Sequence, residues 1–283
     1  MPENQEIHIK PSKSWFDLNL HEIFQYRYLL FLLIRRDFVS QYKQTILGPF
    51  WLIAQPLLGT GVFTVIFGMV AKMPTDGLPV FLFYQSGMLG WNYFANTYGS
   101  NSNALQSNVE LFGKVYFPRI IPPISVCITN LFTFLLQLIV FLIVYTGFKV
   151  HLGENAMFGI TPNICLLPFH LIQSALLAMG IGFLMSSMTV KYRDFSKISG
   201  LLIQFLMYVS PIIYPLSEVP DKLKWIMYLN PLSFIVESYR LMFLGKGTIT
   251  LELALSSISI TLIISLFGIV VYNKIQRTYI DYV

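Results

Sequence analysis

RRDFVSQYKQTILGPFWLIAQP, residues 35–56, runs from two adjacent arginines into a Trp-bearing apolar stretch broken by Gly48-Pro49 and again by Pro56. Upstream, HEIFQYRYLLFLLIRRDFVSQYKQ has helical spacing. Ile23, Phe24, Leu30, Phe31, Ile34, Phe38 and Tyr42 fall broadly on one side, with Glu22, Arg36, Ser40 and Lys43 on the other. Its wholly apolar part, 28–34, is too short to cross a bilayer, whose core needs about 20 apolar residues in a helix. A basic amphipathic helix bearing aromatics lies in the membrane interface. Gly48-Pro49 then lets the chain turn from lying flat to crossing, and Pro56 can kink the crossing helix.

The rest of the chain agrees with a membrane setting. Of 283 residues, 55% are hydrophobic and 12% charged, about half the charged share of an ordinary soluble domain. Too little polar surface is available to coat a soluble core. Six runs are long and apolar enough to span: 47–71, 79–105, 121–147, 163–189, 198–216 and 251–272. Placing 1–46, 106–120, 190–197 and 273–283 in the cytoplasm puts thirteen of the nineteen Lys and Arg there, so both termini are expected inside. The expected architecture is all-α. A cytoplasmic N-terminus with its interface helix (1–46) precedes a six-span domain (47–272), and a cytoplasmic tail (273–283) follows it.

The segment 217–250 is long for a loop and carries two apolar pieces split by Asn230-Pro231. Neither piece can cross, which suggests re-entrant helices dipping back into the outer leaflet; an amphipathic surface loop is the plainer alternative. Cys127 and Cys165 sit in apolar runs without a CxxC or a His companion and read as small buried hydrophobes.

Along the second span, Gln85, Asn92, Asn96, Gly99, Ser100, Asn103 and Ser107 form a polar and small stripe, with Tyr84, Trp91 and Tyr98 on a neighbouring face. Such a surface suits sugars, as the wall of a hydrated path. It equally suits helix–helix contact, where small and polar residues tighten membrane packing.

No Asp, Glu, Lys or Arg lies mid-span, which counts against an ion-coupled carrier. Glu218, Asp221 and Glu237 are the acids a membrane enzyme would draw on, yet they lack a clustered base, and His170 reads as a packed or outward-facing residue. GxxxxGK[ST] is absent, so uphill transport would take its energy from a partner.

Several segments in order resemble one family, the membrane subunit of polysaccharide ABC exporters of the O-antigen, capsule or teichoic acid type. They are Arg36-Asp37-Phe38 with Tyr42-Lys43, Leu47-Gly48, Trp51 and Pro56, then LFGKVYFPRIIPP at 111–123, KYRDF at 191–195, and Pro215 followed by Asn230-Pro231-Leu232 and Tyr239-Arg240. The chain departs from the family's pattern at Gln41, where a basic residue is common.

The resemblance implies a homodimer working with two copies of a cytoplasmic ABC ATPase that holds the ATP and Mg, with no cofactor in this chain. It places the protein in the bacterial cytoplasmic (inner) membrane. Its cargo would be a lipid-linked glycan, and nucleic acid has no part. Coupling to the ATPase would fall on Lys114, Val115, Tyr116, Phe117, Pro118, Arg119, Arg193 and Asp194. The interface helix would contribute Arg35, Arg36, Asp37, Tyr42 and Lys43. The path would take Trp51 and Gln55 together with Tyr84, Gln85, Trp91, Asn92, Asn96, Tyr98 and Asn103. An outer gate would use Tyr214, Pro215, Trp225, Asn230, Pro231, Tyr239 and Arg240. The rivals are a drug or small-lipid exporter of the same architecture and an ion-coupled lipid flippase.

Overall fold

The computed structural model describes residues 24–40, 43, 46, 48–114, 117–153 and 156–278. Tyr42, Val115 and Tyr116, the Lys114 side chain and the residues 1–23 and 279–283 therefore lie outside the described part. Among the described residues the regular structure is entirely helical.

Helix α1 (Arg27–Ser40) precedes a turn at Gly48, whose φ of +50° is a conformation glycine reaches without a Cβ penalty. Helix α2 (Trp51–Phe63) follows and widens into a π-helical stretch, Thr64–Val70, where Ala71 N–H reaches back to Ile66 O. Pro56 sits inside α2 without ending it. Helix α3 is Val80–Asn101; two short helices, α4 (Ala104–Ser107) and α5 (Val109–Lys114), then lead to α6 (Ile121–Leu152). Helices α7 (Leu167–Lys191) and α8 (Phe195–Val209) form the next pair. Two more, α9 (Lys224–Leu229) and α10 (Pro231–Leu244), come before the last, α11 (Leu251–Thr278).

Four helical stretches are long and apolar enough to cross a membrane: Trp51–Val70, Ile121–Leu152, Pro162–Lys191 and Leu251–Gln276. Helix α3 has 22 residues and is diluted by its polar stripe; α8 has only 15. The expected run 198–216 thus stops early. Ser210 is extended because it precedes Pro211, which pushes its neighbour out of the helical region, and 210–215 continues without regular helix.

Helix α3 is the centre of the bundle, contacting α6, α7 and α10. Leu82, Phe83, Tyr84, Phe94 and Tyr98 are all within 1% of full burial on it. The tightest pair is α7 with α11, and the reason is in the glycines. A Cβ on Gly268 would sit 2.3 Å from Gly180 O, and one on Gly180 would sit 2.8 Å from Ser265 Cα. In lipid, helices gain little from apolar burial against each other, so close backbone approach and dispersion contacts do the joining. Phe183 and Tyr272 stack at 4.3 Å at one end of this seam, and Gln173 Nε2 donates to Ser257 Oγ (2.8 Å) nearer the other.

The faces left exposed are apolar: Leu58 and Val62 on α2 and Met69 on the π-helical stretch after it, Phe205 and Tyr208 on α8, Ile263 and Phe267 on α11. Cys127 is buried as expected, but Cys165 is exposed, because the turn before α7 faces outward rather than into the bundle. Helix α1 also differs from its wheel. Leu33 is buried and Leu29, Leu30 and Phe38 pack inward, whereas Phe24 and Phe31 are 68% exposed. The helix is apolar around most of its circumference, and the side that turns inward is the one that meets the start of α6.

Candidate functional site

The two ends of the bundle are built differently. At the end bearing α1, the turn 117–121 is a junction. Phe117 is 5% exposed and packs with Leu33 of α1 and Ile121 of α6. Arg119 lies over the Phe112 ring (5.4 Å), and its guanidinium donates to Gln276 O near the end of α11. Its own carbonyl accepts from Tyr272 Oη (3.1 Å). The Phe117 ring is therefore occupied in holding α1, and Arg119 ties the loop to α11. Pro118 is half-buried beside them, while Arg193 and Asp194 stand exposed in the turn between α7 and α8.

Arg35 and Arg36 on α1 and Lys43 beyond its end are exposed. Asp37 is held on two sides, by Arg36 Nη2 at 2.7 Å and by Ser125 Oγ donating at 3.2 Å. Between α1, the end of α3, α4 and the start of α6 lies a cavity of about 410 Å³ with a mostly polar lining. It is lined by Arg36, Asp37, Ser40, Asn103, Asn108 and Asn130, among others.

The polar stripe of α3 divides. Asn96, Gly99, Ser100, Asn103 and Ser107 are exposed, the last four opening on this cavity. Asn92 is half-buried and donates to Gln137 Oε1 at 3.5 Å; Gln85 is buried with Oε1 unpartnered. Both line a second cavity of about 20 Å³ against Pro56 and Thr60, close to the volume that holds one water. Trp51 and Gln55 are exposed at the start of α2.

The aromatic face goes the other way. Tyr84, Trp91 and Tyr98 are 0%, 4% and 1% exposed, so they form the chain's own core and not a wall beside the stripe. Helix α3 is surrounded on these sides, and the hydroxyls serve as ties: Tyr84 to Ile213 O (3.4 Å), Tyr98 to Ser199 O (3.1 Å).

At the opposite end, residues 210–248 form a cap. Asn230 starts α10, accepting from Leu232 N–H (3.1 Å) and donating to Ser210 Oγ (2.9 Å), with Pro231 in the first helical position. Arg240 and Glu237 form an ion pair at 2.6 Å with both side chains 1% exposed. Arg240 also donates to Ile212 O (2.9 Å) and lies 3.8 Å over the Phe83 ring; Glu237 accepts from Leu216 N–H (3.3 Å) and Thr248 N–H (2.9 Å). Asp76, in the α2–α3 loop, accepts from Ser217 Oγ (2.8 Å), and its carbonyl accepts from Lys246 Nζ (2.6 Å). Pro215 and Tyr239 are buried in this cap, Tyr214 is half-buried and Trp225 is 59% exposed. On its surface the Lys224 ammonium, 2.7 Å away, holds the exposed Asp221 carboxyl below its usual range.

Of the three acids weighed for enzyme chemistry, Glu237 is the one committed to an ion pair. Its partner stands three positions along one helix, the spacing at which opposite charges meet. The other acids, Glu218 and Asp221, lie apart from it on the surface. Among the described residues no three metal-binding side chains come together.

Comparison with known proteins fits this arrangement. A family model described as ABC-2 type transporter matches residues 28–244. An O-antigen export system permease protein RfbA of Klebsiella pneumoniae is 26% identical over 259 residues, covering 89% of this chain and 94% of the relative. The protein of the same name from Myxococcus xanthus is 27% identical, covering 86% and 92%. A polysialic acid transport protein KpsM of Escherichia coli is 24% identical, covering 85% and 91%.

Proposed function

Because the chain belongs to the ABC-2 type transporter family, we propose that it is the permease subunit of an ATP-driven exporter that carries a polysaccharide across the bacterial cytoplasmic membrane. The observation that carries this reading is the near end-to-end similarity to polysaccharide export permeases, with nine-tenths or more of each relative's length covered. In this reading the six apolar helices all cross, α3 and α8 being completed by protein packed around them. The Lys and Arg balance places α1 and both termini in the cytoplasm.

Two copies form the working unit, burying apolar faces such as that of α8 that one copy leaves exposed. The path between them takes the polar, exposed side of α3 (Asn92, Asn96, Asn103) with Trp51 and Gln55 of α2. The cap at 210–248 dips into the outer leaflet as a gate. Two copies of a cytoplasmic ATPase dock at the 109–119 loop and the Arg193-Asp194 turn, so that ATP and Mg are theirs. A push there would travel through Arg119 into α11 and through Phe117 into α1. The glycan arrives on a lipid anchor, which the interface helix is suited to meet at the membrane surface.

Deleting the chain's gene and measuring glycan inside and on the cell tests this reading. Loss of surface glycan with accumulation inside is expected. Unchanged surface glycan would reassign the chain to a drug or small lipid.

A further inference from the structure

Gln85 and Asn92 lie two turns apart on α3 and so share a face. That face meets α2 and α6 around the small cavity of about 20 Å³, lined by Pro56, Thr60, Gln85, Met88, Asn92 and Gln137 among others. Gln85 is 7% exposed, and among the described residues nothing donates to its buried Oε1. Asn92 Nδ2 and Gln137 Oε1 stand 3.5 Å apart, beyond the usual length of a hydrogen bond, so these two amides satisfy each other poorly. Inside a bilayer such a shortfall is costly, because no solvent is at hand to take the bond.

Helix α2 shows the same shortage from its own side. Thr60, 1% exposed, gives its hydrogen to Pro56 O (2.9 Å) within the helix. Thr64, in the π-helical stretch, gives its own to Thr60 O (2.8 Å). Among the described residues no side chain of α2 is hydrogen-bonded to α3 or α6. The Thr60 hydroxyl keeps lone pairs, and the Gln137 amide keeps hydrogens, both at the wall of the cavity.

Size and charge limit what can sit there. A volume of about 10–15 Å³ suffices for one water, and nothing as large as a sugar ring or a phosphate fits the space. No carboxylate lines it, so a bare cation would be an uncompensated charge in low-dielectric surroundings. A water brings both donors and acceptors. It can donate to Gln85 Oε1 and Thr60 Oγ1 and accept from Gln137 Nε2, the number of partners usual for a buried water. We propose that this cavity is a binding site for one resident water molecule, which joins α2 to α3 and α6 within the membrane. The site does not depend on what the chain carries.

Met88 makes the water observable, since it lines the cavity and is 7% exposed. Its controls are Met157, 83% exposed, and Met242, 1% exposed and packed in the core. The full chain with its ATPase in nanodiscs is mixed with heavy-oxygen water and irradiated with a brief X-ray pulse, and methionine oxidation is read by mass spectrometry. Radiolysis makes hydroxyl radicals from the water beside each sulfur. Met157 should be oxidised and carry the heavy isotope at once, and Met242 should stay unmodified. Met88 should be oxidised yet keep the light isotope at the shortest mixing times, because a held water exchanges slowly. Gln85→Leu and Gln137→Leu each remove a partner of the water, and Met88 oxidation should be lost in whichever of them folds.

Met88 left unmodified in the unaltered chain, like Met242, would mean a dry cavity and overturns the proposal. Uptake of the heavy isotope as fast as at Met157 would mean open solvent and overturns it too. So does Met88 oxidation that survives the substitutions.

Discussion

Arg240 and Glu237 lie 2.6 Å apart with 1% of either side chain exposed, and between them they hold the backbone of Ile212, Leu216 and Thr248. A buried pair is costly to half-remove, because the survivor is left as an uncompensated charge. Arg240→Met should destabilise the protein by about 3–5 kcal/mol, read as a lower melting point of the complex in nanodiscs. The double change Glu237→Gln with Arg240→Met should lose less than the two single losses added together. Strict additivity would mean that the pair does not hold the cap.

The α7–α11 seam makes a second prediction. Gly268→Ala places a methyl 2.3 Å from Gly180 O, a backbone atom that cannot swing aside. Overpacking of this kind costs about 1–3 kcal/mol, and folded yield should fall accordingly. Gly147→Ala, with nothing within 4 Å, should be neutral in the same size-exclusion assay.

A third concerns how the 109–119 loop is held. Tyr272 is 1% exposed, and its hydroxyl donates to the Arg119 carbonyl from inside the bundle. If the loop's position matters to the ATPase, Tyr272→Phe should weaken co-purification of the two subunits several-fold, the effect of one hydrogen bond of about 1 kcal/mol. Arg119→Glu, which loses the tie to Gln276 O and reverses charge, should weaken it further. Full retention in both variants would remove this loop from the coupling path.

Much of this was legible in the sequence, and the exceptions have physical causes. The apolar runs located the helices because length and composition suffice for that. The early end of α8 was legible too, in Pro211, once the restriction on the residue before proline is applied. The burial of Tyr84, Trp91 and Tyr98 was not, since a helical wheel shows which residues share a face but not which neighbours that face will meet. The same holds for Phe117, whose partner Leu33 is distant in the chain. The cavity beside α1 is assembled from three separate segments that no spacing in the sequence brings together.

The most direct test of the account is transport by purified components. Proteoliposomes holding this chain alone, with lipid-linked glycan in the outer leaflet and an ion gradient, should show no movement of glycan to the lumen. Adding the ATPase subunit and Mg-ATP should start it, and an ATPase unable to hydrolyse should not. Glycan movement by the chain alone, driven by the gradient, would contradict the claim that its energy comes from a partner.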